Sequence, residues 1–194
     1  KNSALLLLMA SLIGKNQTGL YASAWGIAVI VNFAAISLNK VWQPLLFKML
    51  ASGKKGYSQN VKIVKRMYLY MLLIILIGAF IMIFSNIIVK IALGPSYQGA
   101  SLYVRYLAFA IAVQSLFTAM ADFLLFYKAT GKLTLVSITG ILIQYFLIFI
   151  FYTFYELSVP LIILSIIVAS FYTLAHSWYL ATRVRQLPWI YFLR

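Results

Sequence analysis

The chain has 194 residues, is 64% hydrophobic and only 9% charged, and carries a net charge of +14. Soluble domains are nearer half apolar and a quarter charged, so this composition and a mean hydropathy of +0.99 exclude a soluble globular domain and point to an integral membrane protein. The positive charge does not point to nucleic acid, because it sits in short stretches beside apolar segments, where it sets topology and attracts anionic lipid heads. The chain has no cysteine, which removes disulfides and thiolate metal sites.

The first apolar segment, residues 4–13, follows Lys1 at once. It does not read as a cleavable signal peptide, and it falls short of the ~20 residues that span a bilayer. The chain therefore reads as a piece of a longer protein. A second, uncharged segment covers 20–39. Residues 40–66 hold Lys40, Lys48, Lys54, Lys55, Lys62, Lys65 and Arg66 and no acid, and are expected to be a cytoplasmic basic loop. Within it, 41–50 is amphipathic and is expected to lie in the membrane surface with Trp42 and Phe47 inward. A third segment, 67–93, is long for one span and is expected to tilt or to loosen near Ser85 and Asn86. Gly94-Pro95-Ser96-Tyr97 is a turn by composition. A fourth segment, 102–127, carries Arg105 near its start and Asp122 near its end. A basic turn at 128–132 leads to an uncharged fifth segment, 133–155, and a short turn at 156–160 to a sixth, 161–182. Arg183, Arg185 and Arg194 follow, with Trp189 and Tyr191 as interfacial anchors.

This layout predicts an all-α integral membrane protein, a six-helix transmembrane bundle over residues 1–194. Lysine and arginine alternate from turn to turn, which places the N-terminus, 40–66, 128–132 and the C-terminal tail on the cytoplasmic side and the other turns outside. The segments are far longer than barrel strands and do not alternate in hydrophobicity.

Polar side chains within spans are expected to face the bundle interior or a water-filled cavity. At about 100° per residue, Tyr21, Trp25, Asn32 and Asn39 share a face of the second segment. Gln114, Ser115, Thr118 and Asp122 cluster on the fourth, and Thr134, Ser137, Gly140 and Gln144 on the fifth. Small and polar residues also bring membrane helices together without any ligand. Asn32, Gln114 and Gln144, deepest in their spans, and Trp25 are the candidate substrate contacts. Asp122, the only acid inside a span, either snorkels, pairs with Lys128 or another helix, or serves as an ion-coupling site. Arg105 and Lys90 flank the outer turn and are candidates to meet an anionic substrate. His176 reads as a packed or interfacial histidine with no partner in sequence reach. With one Asp, one Glu, one His and no Cys, the chain lacks the groups of an intramembrane enzyme, and no metal or cofactor is expected.

Four stretches carry a resemblance: Gly19-Leu20-Tyr21-Ala22-Ser23-Ala24-Trp25; Trp42, Pro44, Phe47 and Lys48; Leu93-Gly94-Pro95-Ser96-Tyr97; and Tyr127, Lys128, Thr130, Gly131 and Lys132. In order and spacing they resemble the polysaccharide (lipid-linked oligosaccharide) flippase family of the multidrug/oligosaccharidyl-lipid/polysaccharide exporter superfamily. The resemblance implies that the six segments are that family's helices seven to twelve, the C-terminal lobe of a two-lobe transporter. It implies alternating access around a central cavity, a polyprenyl-diphosphate-linked oligosaccharide as substrate, a missing N-terminal lobe as partner, and the bacterial inner membrane as location. The chain departs from the family pattern at Asn2-Ser3-Ala4, at Gln144 and at Ser158-Val159-Pro160. Two other readings stand beside it: a cation-coupled drug exporter of the same superfamily, and a non-transporting membrane scaffold subunit.

Overall fold

A computed structural model describes residues 2–52 and 56–189, and the side chains of these apart from 2–5 and 8. Lys1, Lys54, Lys55, Tyr191 and Arg194 lie outside the described residues. All regular structure among the described residues is helical: α1 (Asn2–Leu12), α2 (Lys15–Ala28), α3 (Ile30–Ala51), α4 (Tyr57–Ile83), α5 (Ser85–Ala92), a 3-10 turn at Pro95–Tyr97, α6 (Ala100–Phe126), α7 (Thr130–Phe154) and α8 (Val159–Val184). Runs of Leu, Ile, Met and Ala favour helix, and in lipid a helix is the open-chain solution that satisfies its own backbone.

Five of these stretches are long and apolar enough to cross a membrane: Lys15–Ala51, α4, α6, α7 and α8. The protein is a multi-pass all-α membrane bundle. The helix count departs from the six expected. With 11 residues, α1 is about 16 Å long at 1.5 Å per residue, well short of a ~30 Å hydrocarbon core. Helices α2 and α3 together make one element, because the backbone ladder continues through Val29: its N–H donates to Trp25 O at 2.9 Å, and its carbonyl accepts from Phe33 N at 3.1 Å.

The stretch 40–66, expected as a loop, is mostly helix. Helix α3 runs on to Ala51 and α4 begins at Tyr57. Lys, Gln, Leu and Met are good helix formers, so the basic charge marks a membrane side without marking a coil. Residues 41–50 accordingly continue a span and do not form a separate surface helix. Trp42 is buried in the protein, stacked on Tyr70 with ring centroids 5.3 Å apart. Phe47 packs edge-on against Phe126 at 5.5 Å. In the third segment α4 ends at Ile83 and α5 starts at Ser85, so the chain breaks at Phe84.

Helix α6 is the hub. It packs against α2, α3, α4, α5 and α8, and buried residues occur all round it, including Val104, Leu107, Ile111, Met120 and Phe123. A helix apolar on every side belongs in the middle of a bundle. Helix α7 packs mainly on α8 and touches α6 only slightly, which leaves a cleft between α7 and the α2–α3 element. Two close approaches fix the layers. A Cβ on Gly78 of α4 would lie 2.7 Å from Ala112 Cβ of α6, and one on Gly140 of α7 would overlap Thr173 Cγ2 of α8.

The basic segments meet at one end of the bundle. Arg185, just after α8, donates to Tyr127 Oη at 2.9 Å and to Asn60 Oδ1 at 2.6 Å. Tyr68 Oη donates to the Trp189 carbonyl at 2.6 Å, and Trp189 packs on Trp178. These contacts bring the start of α4, the α6–α7 turn and the tail of α8 together. At the other end, Tyr103 of α6 donates to Gln17 of α2 at 3.2 Å.

Candidate functional site

The cleft between α2–α3, α6, α7 and α8 is a cavity of about 440 Å³. Trp25 comes from α2, Asn32 from α3, Gln114 from α6 and Gln144 from α7, so four residues singled out by helical phasing line one space. The physical reason is common to all four: a polar or amphipathic side chain in mid-span finds hydrogen-bonding partners only on the protein side. Ser115, Thr118, Ser137 and Gly140, from the same faces, also line it, whereas Thr134 does not.

The cavity chemistry is amide, hydroxyl and aromatic. Among the described residues, no lysine, arginine or acid lines it. The hydroxyls of Ser115 and Ser170 donate to their own helix backbones, at 2.8 Å to Ile111 O and 2.7 Å to Ile166 O. The amides of Asn32, Gln114 and Gln144 make no side-chain hydrogen bond among the described residues, which leaves their donors and acceptors available to a ligand. Trp25 and Tyr145 supply aromatic faces.

A smaller space of about 170 Å³ adjoins, lined by Asn32, Ala35, Ile36, Asn39, Lys40, Gln43 and Thr118. Asn32 and Thr118 line both spaces. Behind the smaller one lies Asp122, 2% exposed. Its Oδ1 accepts from Gln43 Nε2 at 2.8 Å. Asp122 therefore neither snorkels nor joins Lys128; its partner is an amide on another helix.

Arg105 and Lys90 line neither space. Arg105 is half-buried in the second turn of α6, and Lys90 is exposed on α5. The fold thus gathers the uncharged candidates and leaves the two cations apart from them. His176 has a partner one turn earlier, with Tyr172 Oη 3.1 Å from its Nδ1.

Sequence reasoning missed the contribution of α8, which lends Ile166, Ala169, Ser170 and Thr173 to the cavity. The spacing of Ser165, Ser170, Thr173 and Ser177 along that helix is the signal that would have found it. It also missed Gln43, because that residue sits in the stretch read as a loop; its spacing of four from Asn39 puts both on one helix face. Comparison with family models, with curated proteins and with solved structures finds no match to the chain.

Proposed function

We propose that the chain is the C-terminal lobe of a membrane flippase that moves a polyprenyl-diphosphate-linked oligosaccharide to the outer leaflet by alternating access. The observation that carries this reading is the convergence of Trp25, Asn32, Gln114 and Gln144 on one uncharged cavity. Unpartnered amides donate to and accept from sugar hydroxyls, and aromatic faces cover the apolar faces of sugar rings. A diphosphate in that cavity would meet no countercharge, at high cost in a poorly solvated site. The cavity therefore takes the glycan, and the diphosphate is met by Arg105 and Lys90 outside it. In this reading the membrane is the bacterial inner membrane, the basic end is cytoplasmic, and a second lobe completes the cavity.

The test is surface-glycan complementation by the full protein in a strain lacking the gene, at matched protein level. Gln114→Leu with Gln144→Leu is expected to lower export about tenfold or more, two lost hydrogen bonds being worth about 2 kcal/mol together. Arg105→Ala is expected to abolish export, Arg105→Lys to keep part of it, and Lys90→Ala to do less. Full export by the double glutamine variant would overturn the reading.

A further inference from the structure

Four buried polar atoms at the junction of α3, α4 and α6 lack any hydrogen-bond partner: Asn39 Oδ1, Trp42 Nε1, Tyr70 Oη and Asp122 Oδ2. Orphaned buried polar groups are rare in folded proteins and call for a missing partner. Here they gather around one carboxylate. Gln43 holds its Oδ1, the Asn39 side chain lies against it, and Tyr70, stacked under Trp42, stands within electrostatic reach.

Among the described residues, the hydrogen bonds of that carboxylate are with amides. On α3, Lys40 is exposed at the mouth of the smaller space. On α4, Arg66 is exposed and donates to Met49 Sδ at 3.2 Å. On α8, His176 is engaged with Tyr172. The side chains that act on the carboxylate are the amides of Gln43 and Asn39, with Tyr70 as the titratable neighbour. Two of the four orphans, Asp122 Oδ2 and Asn39 Oδ1, are acceptors that lack a donor. A proton on Oδ2 satisfies the carboxyl's own orphan, because a protonated carboxyl gains one O–H donor.

We propose that Asp122, Asn39, Gln43 and Tyr70 form an intramembrane proton-binding site, reached from the uncharged cavity past Asn32 and Thr118. Hydronium from water in the smaller space gives up its proton: an O–H bond of hydronium breaks, one forms at Asp122 Oδ2, and water is left. Gln43 keeps its bond to Oδ1. Loading the site removes a buried negative charge about one helical turn from Thr118, so occupancy by a proton changes the field at the floor of the cavity.

This proposal does not rest on the flippase reading, and its test needs no transport. Full protein labelled with carbon-13 aspartate in lipid nanodiscs is titrated by infrared difference spectroscopy. The expected result is a carbonyl stretch of one protonated carboxyl per chain in the wild type, absent from Asp122→Asn, whose amide keeps the shape. Asn39→Leu, which removes an amide that lies against the carboxyl, is expected to retain the band and shift it toward that of a carboxyl with one hydrogen bond fewer. Only ionised carboxylate bands at every pH at which the wild type stays folded would overturn the proposal, as would a band unchanged in both variants. A band lost from the wild type when sodium replaces choline at constant pH would make the site a sodium site and equally overturn it.

Discussion

Lys128 has φ +55°, in the left-handed region, with no glycine to ease it. It ends α6 in a paired return: Lys128 N donates to Leu125 O at 2.9 Å and Ala129 N to Leu124 O at 3.0 Å, the two bonds of a Schellman close. A side chain with a Cβ is strained there, so Lys128→Gly is expected to stabilise the protein by about 1 kcal/mol, visible as a higher midpoint in thermal unfolding in detergent. A lower midpoint would show that the charge of Lys128 matters more than its backbone. Arg185 lies at the opposite extreme, because its two charge-assisted bonds join three helices. Arg185→Ala is expected to cost about 2–3 kcal/mol, and Arg185→Lys to recover less than half, since an ammonium lacks the fork that reaches both Tyr127 and Asn60; the same unfolding measurement checks both. At this scale the sequence was legible where lipid forbids alternatives. Asn32, Gln114 and Gln144 had only one side to face. It was not legible for Tyr70, whose ring fits an apolar span as well as a polar cluster and whose hydroxyl is placed only by α3 and α6.

Among the elements, the apolar runs of α4, α6, α7 and α8 could be read directly, since hydrocarbon thickness fixes their length. The ends of α3 and α4 could not. A run of lysines announces a membrane side, yet the same residues sustain helix once in water, so α3 runs 12 residues beyond the expected end at Asn39. Which helices touch was equally hidden, except through small residues. Gly140 brings α7 onto Thr173 of α8, a contact of the kind that holds membrane helices together without ligand. Gly140→Val forces the two apart or strains them, with an expected cost of about 1–3 kcal/mol. Because Gly140 also lines the cavity, the variant is expected to narrow it. Unfolding midpoints and cysteine accessibility at Ser137→Cys would report the two effects separately; an unchanged midpoint would show that α7 is free to move off α8.

For the whole molecule, the alternation of basic turns anticipated which ends meet, and the contacts of Arg185, Tyr68 and Phe47 join the same segments. Which end faces the cytoplasm is a matter for labelling, and these 194 residues add no cysteine of their own to the background. In the full protein, Ser58→Cys is expected to resist an impermeant thiol reagent in intact cells, while Ser96→Cys and Ser158→Cys react. Reaction at position 58 from outside would reverse the bundle. The basic end has an electrical consequence as well. Lys48, Lys62, Lys65, Arg66, Lys128, Lys132, Arg183 and Arg185 all lie near it, and each elementary charge carried across a 100 mV potential takes about 2.3 kcal/mol. Moving the eight together through an inside-negative potential would take on the order of 20 kcal/mol, more than a bundle of this size has to lose. In an orientation that puts the basic end on the inside, the voltage works as a ballast: it resists carrying that end across the membrane, and the end where Gln17 meets Tyr103 bears less of that weight.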